Sequence, residues 1–294
     1  MEYFIQQLIN GINLGSIFAL IAIGYTMVYG IIKLINFAHG DMLMLGAYLS
    51  YIFIINFPIE VPIIVLIALV MLLGGLFGIL IEFLAYRKLR KAPRISALIT
   101  AIGVSIFLEN LAQKIFGATP KVQPQFISVD LINVFGIQIS KLTIYTVVIS
   151  ITMMILLTVF IHKTKPGKAM RAVSQDQDAA RLMGINVNRV ISLTFALGSA
   201  LGALAGVFYS VAYTRVSAYM GLMPGLKAFV AAVLGGIGSI GGAVLGGFLI
   251  GISETLTKAY ISTEWADALV FVILIIVLLV KPTGILGKNV KEKV

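Results

Sequence analysis

The sequence predicts an all-α protein, a polytopic membrane helical bundle of about seven full spans plus a glycine-rich broken helical hairpin. A single transmembrane domain fills residues 1–294. Two observations carry this. First, only 12% of the residues are charged and 60% are hydrophobic, with a mean hydropathy of +1.04, whereas a soluble domain carries roughly 25% charge. Second, the charge-free runs recur from end to end: between Glu2 and Lys33, then over 42–59, 61–81, 142–162, 190–214, 228–253 and 268–280. A bilayer core about 30 Å thick needs about 20 apolar residues per helix. The runs are continuous rather than alternating, so spanning helices are expected, not barrel strands.

In chain order the spans fall at roughly 8–31, 40–56, 62–85, 95–116, 142–161, 191–213 and 265–281. The stretch 117–141, with two prolines and mixed polarity, reads as an external loop. Residues 221–260 must leave and return on one face for the count to close. Their centre, Gly235-Gly236-Ile237-Gly238-Ser239-Ile240-Gly241-Gly242, suits two short helices meeting in a broken hairpin. Tyr260 and Trp265 then lie at the outer interface, where amphipathic rings are favoured.

The charges set the expected orientation. Basic residues cluster at Arg87, Lys88, Arg90, Lys91 and Arg94, again over 163–189, and in the tail at Lys281, Lys288, Lys291 and Lys293. Placing these and Lys33 in the cytoplasm puts 16 of the 22 basic residues inside, as cytoplasmic loops require. The N-terminus is then outside and the C-terminus cytoplasmic, in a multi-pass plasma (cell inner) membrane protein. The net charge of +10 is explained by those loops, and no nucleic-acid partner is expected. The opening Met-Glu-Tyr-Phe carries no basic region and no cleavage pattern, so no removable signal peptide is expected.

The loop at about 162–190 is the most informative segment. Ser174-Gln175-Asp176-Gln177 fits a capping box with Ser174 as N-cap. Asp176 and Asp178 fall in the first turn, Arg181 near the other end, and Gly184 follows as a left-handed terminator. A short helix over about 175–183 results, with an apolar face of Ala179, Ala180 and Met183, and with Ile185 after the cap. So short a helix is marginal alone. It is either a docking element or a segment lying on the membrane or on its own helix ends.

Arg171-Ala172 followed by Asp178-Ala179-Ala180-Arg181-Leu182-Met183-Gly184-Ile185-Asn186-Val187 resembles the cytoplasmic coupling-helix signature of ABC importer permeases. More narrowly it is similar to the permeases for branched-chain amino acids. The segments Asn36-Phe37-Ala38-His39-Gly40-Asp41-Met42-Leu43-Met44-Leu45-Gly46-Ala47-Tyr48 and Gly235 through Gly247 agree with this. The resemblance covers essentially the whole chain, and length and first segment match the smaller, LivH-type permease.

The resemblance implies a five-part importer: a second permease of the same family, two ABC ATPase subunits, and an external substrate-binding protein delivering an amino-acid substrate. It also implies that Ser174, Asp178, Ala179, Ala180, Met183, Gly184 and Ile185 form the ATPase-docking element. ATP would be bound by the partners, since this chain holds no G-x-x-x-x-G-K-[ST] loop and no cofactor of its own is expected.

Broken, glycine-rich helices often frame transport sites. The candidates for a substrate path are therefore Asn36, His39, Gly40 and Asp41, with Gly235, Gly236, Gly238, Ser239, Gly241 and Gly242. The competing role for the glycines is close helix packing; Asp41 could equally cap the second span. Glu109, a carboxylate inside the fourth span, joins the candidates, its alternative being a group near the outer interface, paired with Lys114 or solvated. Lys227 has the same ambiguity. A metal role for His39 is not expected with only one other histidine, His162, and no cysteine. The rivals are an ATP-independent secondary transporter or channel, which would need acidic mid-membrane ion sites, and an ABC permease for urea or short amides. An enzyme is not expected: there are no paired acidic residues and no H-E-x-x-H.

Overall fold

The computed structural model describes residues 2–34, 36–57, 62–90, 92–127, 130–134 and 137–287. Lys91 and the tail lysines Lys288, Lys291 and Lys293 lie outside them. The helices are α1 (Glu2–Ile32), α2 (Asp41–Asn56), α3 (Ile63–Ile81), α4 (Arg94–Phe116), α5 (Lys141–Lys163), α6 (Lys165–Gln175), α7 (Gln177–Leu182), α8 (Val187–Ala212), α9 (Leu222–Gly235), α10 (Ile240–Tyr260) and α11 (Thr263–Val280). A π turn (Glu82–Tyr86) and a 3₁₀ turn (Arg87–Leu89) prolong α3. Among the described residues eight helices are long and apolar enough to cross a membrane, and the molecule is a polytopic helical membrane bundle.

The glycine-rich hairpin differs from its expected form in one arm. α9 is short, at 14 residues, but α10 runs for 21 and is itself long enough to span. The glycines over 241–251 do not break α10, although each costs a helix about 1 kcal/mol. From Gly242 onward they face other backbones instead. Gly242 meets Gly235 and Gly246 meets Ala231 on α9, while Gly247 and Gly251 meet Ala19 and Gly15 on α1, with no room for a Cβ at any of them. Dispersion between touching backbones offsets the propensity cost, as in other small-residue membrane interfaces. The turn itself is confined to Gly236–Ser239, with positive φ at Gly236 and Gly238.

α1 is the central helix. Of its most apolar stretch 89% is buried inside the protein, against 28% for α4 and α5 and 11% for α11. Its apolar residues therefore face protein rather than lipid. The two ends of the bundle are distinct. At one end Gly30 adjoins Gly238, Gln177 bonds to Ile31, and the backbone N–H groups of Ile285 and Leu286 donate to the last carbonyls of α9. This end also carries Arg87, Lys88 and the α6–α7 loop. At the other end Tyr3 packs edge-on against Tyr260 at 5.8 Å. The expected external loop lies here as two short ladders: β1 (Lys121–Val122) pairs with β4 (Arg215–Val216), and β2 (Leu131–Val134) with β3 (Ile137–Ser140).

Candidate functional site

After α1 the chain does not stay at the end of the bundle. From Lys33 it turns back inward, and the 3₁₀ turn Phe37–His39 lies between helices. His39 is buried there, its ring edge-on to Tyr25 at 4.7 Å and pressed under Gly24. Asn36 accepts a 2.6 Å hydrogen bond from the Tyr86 hydroxyl. Gly40 packs on Gly221 and Gly225 so closely that a Cβ would meet Gly221 O at 2.8 Å. α2 thus begins inside the bundle, and Asp41 is delivered to its interior.

Asp41 faces a cavity of about 310 Å³ formed where α2 begins, between the middle of α4 and the start of α9. Glu109 and Ser105 line it from α4, and Gly221 and Gly225 from α9. Both carboxylates are buried, Asp41 at 2% and Glu109 at 8% exposure. Asp41 Oδ2 and Glu109 Oε1 have no hydrogen-bond partner among the described residues. Neither acid forms an ion pair there, so the expected alternative for Glu109, pairing with Lys114, is not what the geometry gives. Phe37, Ile102, Ile106, Leu222 and Leu226 supply apolar walls. A larger cavity of about 450 Å³ opens at the Tyr3–Tyr260 end among Gln7, Asn10, Asn13 and Lys258.

The remaining candidates separate from this cavity. Gly235 and Gly242 hold α9 against α10, Gly236 sits against Gly287, and Gly241 nears only Leu286. Ser239 is the N-cap of α10, its hydroxyl accepting from Gly242 N at 3.2 Å. All lie at the opposite end of α9 from Gly221. Lys227 is resolved as an ion-paired group: its ammonium lies 2.7 Å from Glu254 and 2.6 Å from Asp267. Sequence reasoning missed Tyr25, Ser105 and Gly221. Only proximity marks them, though Gly221 ahead of a short helix was a usable turn signal.

The loop between α5 and α8 is two helices, not one. Thr164 caps α6, accepting from Gly167 N, with Pro166 in the first turn. Ser174 is inside α6 and donates to Arg171 O, so the capping box is corrected. Asp176 is the N-cap of α7, its carboxylate accepting from the amides of Asp178 and Ala179 at 2.9 Å each. A carboxylate accepts both amides at once and so displaces the hydroxyl. Gly184, at φ +82°, closes α7 as expected. Its N–H donates to Arg181 O and the Ile185 N–H to Ala180 O, the paired bonds of a Schellman ending.

Ala180 faces inward and is buried, and Ile185 is half-buried. Asp178, Ala179, Gly184, Leu182 (89% exposed) and Met183 (82%) face out. Gln177 ties α7 to the bundle by donating to Ile31 O at the end of α1, 3.1 Å away. Nearby, fully buried Glu82 receives Arg87 at 2.8 Å, Arg90, and the Ser192 hydroxyl at 2.7 Å, while Arg90 also donates to Asn188. This cluster joins the end of α3 to the start of α8.

The sequence matches the family model described as branched-chain amino acid transport system / permease component over residues 7–278. It is 44% identical to the high-affinity branched-chain amino acid transport system permease protein LivH of Salmonella typhimurium, across 99% of this chain and 98% of that one. The LivH protein of Escherichia coli K12 gives the same figures. The corresponding permease protein BraD of Pseudomonas aeruginosa is 42% identical with the same coverage. No solved structure matches the chain. Helical architecture, full-length identity and family match agree, and the chain belongs to the permease components of branched-chain amino acid transport systems.

Proposed function

We propose that this chain is the permease subunit of an ABC importer for branched-chain or other hydrophobic amino acids. It forms half of the translocation path beside a second permease of its family. α7 is the coupling helix on which one of two ATPase subunits docks, and an external binding protein delivers substrate at the opposite end, where the two short ladders lie. In this reading the N-terminus is outside and the C-terminus cytoplasmic, so the basic end faces the ATPases.

The observation that carries the reading is the Gln177–Ile31 bond. An α7 of six residues cannot hold itself in water, yet it is capped at both ends and fixed to the end of the central helix. A load on its outward face passes to α1, whose chain continues directly through Asn36 and His39 to Asp41 and the cavity. The Tyr86–Asn36 bond joins the same segment to the Glu82 cluster and hence to α8. The docking surface centres on Ala179, Leu182, Met183 and Gly184. Ala180 and Ile185 position it from beneath.

The test is Ala179→Glu with Met183→Glu in the assembled transporter. Charge on this face lowers substrate-stimulated ATP hydrolysis by at least about tenfold, as expected for an unpaired charge in an interface core. The protein still inserts, because both sites are exposed. Normal stimulated hydrolysis overturns the docking assignment. Transport by the purified chain in liposomes without ATP overturns the importer and returns the carrier or channel.

A further inference from the structure

Three places hold charge inside the bundle: the Lys227–Glu254–Asp267 cluster, the Glu82–Arg87–Arg90 cluster, and the Asp41–Glu109 cavity. In the first two every buried carboxylate has a cation from its own chain. In the third, two buried carboxylates share one cavity with no cation beside either among the described residues, and each has an oxygen without a hydrogen-bond partner there.

Two buried like charges in a low-dielectric site repel strongly. The fold offsets part of this. Asp41 lies in the first turn of α2, and the start of α9 lines the same cavity. Each helix start carries roughly half a positive charge, so together they balance about one carboxylate. Holding both acids ionised takes one further positive charge, beside a space with apolar walls at the lower end of the roughly 300–1,000 Å³ range of small-molecule sites.

We propose that this cavity recognises the ammonium group of an aliphatic amino acid, bound between Asp41 and Glu109 with its hydrocarbon part against Ile102, Ile106, Leu222 and Leu226. The proposal rests on the amino-acid importer reading and deepens it. A single N⁺–H₃ group has three donors and one positive charge, enough to reach both carboxylates and supply that further charge. Ser105, beside the Asp41 carboxyl, and the Tyr25 hydroxyl, near Gly225, position the acids. Neutral urea and short amides bring hydrogen-bond donors but no charge, so such a site discriminates against them. Ile102, Ile106 and Leu222 are exposed, so the mouth lies between α4 and α9.

The chain has no cysteine, which gives a direct probe. Ser105→Cys is made in the assembled transporter and treated with 2-aminoethyl or 2-sulfonatoethyl methanethiosulfonate, with rates normalised to the exposed site Ile261→Cys. We expect the cationic reagent to be favoured by at least about tenfold at Ser105→Cys, as for a cleft lined by one sign of charge. The preference disappears when Asp41→Asn and Glu109→Gln are added, and excess leucine slows the cationic reagent in the parent. The same double variant, without the cysteine, loses ATP-driven leucine uptake at least about tenfold, while it still assembles with its partner subunits to the parental extent.

Absence of charge preference in the correctly assembled Ser105→Cys protein overturns the proposal, as does normal leucine uptake by the double variant. An intact preference that sodium ions abolish and leucine does not also overturns it, in favour of a metal-cation site. A parent transporter that shows no ATP-driven amino-acid uptake overturns the importer reading instead, and the labelling ratio still reports on the cation site.

Discussion

Glu254 and the pair Asp41 and Glu109 are all buried carboxylates on membrane-length helices, but their surroundings are opposite. Glu254 is met by Lys227 from α9 and by Lys258 one turn along its own helix, and Lys227 reaches on to Asp267 of α11. The charges there alternate in sign across three helices and close on themselves. Asp41 and Glu109 have no such partners among the described residues. Burial of an ion costs several kcal/mol unless it is compensated. Glu254 Oε2 also lacks a hydrogen-bond partner among the described residues, so the contrast lies in the cations. A fold that gives one carboxylate two of them and two others none is using the first for architecture. The others are held for something that arrives from outside.

Removal experiments turn this contrast into numbers, and the largest effect is expected in the closed cluster. Lys227→Met leaves buried Glu254 with only the part-exposed Lys258 and removes the partner of Asp267, and should lower stability by about 3–5 kcal/mol, the usual loss when one member of a buried pair is deleted. Thermal unfolding in detergent measures it, and an unchanged midpoint would show that Lys258 alone neutralises Glu254. Replacing both members, as Lys227→Met with Glu254→Leu, should cost less than the single change, because no buried charge is left unpaired. Gly246→Ala comes next. Its new methyl group meets the Ala231 carbonyl, and overpacking of this kind costs about 1–3 kcal/mol, visible as loosened α9–α10 packing in hydrogen exchange. Smallest should be Asp41→Asn or Glu109→Gln, within about 0.5 kcal/mol of the parent, because an unpaired charge is being removed. A loss as large as that for Lys227→Met would reveal a structural partner for these acids and end the contrast.

Much of this was legible in the residues. Charge-free runs gave the spans, and seven of the eight long helices begin and end within a few residues of the expected limits, apart from the longer start of α1. Gly184 was recognisable as a helix ending because a left-handed residue after an amphipathic turn is a local requirement. The capping box was misassigned for an equally local reason. Ser174 and Asp176 are both good N-caps, and only the continuation of α6 through Ser174 decides between them. The arm 240–260 looked too glycine-rich to be a full helix, since propensity is all that a sequence window reports.

The sequence by itself determined that this is a helical membrane protein, where its spans run, and that the loop near 162–190 ends a short capped helix with Gly184. These follow from hydropathy, charge placement and turn chemistry, which act over a few residues at a time. Tertiary structure alone decided that α1 is the central helix, that glycines of α10 serve contact rather than breakage, and that Asp41 enters the bundle instead of capping a span at its surface. It alone distinguished Lys227, paired twice, from Glu109, which has no ion pair among the described residues. Whether a buried charge is satisfied depends on groups that lie far apart along the chain, and only the packing of helices brings them within a hydrogen bond of one another.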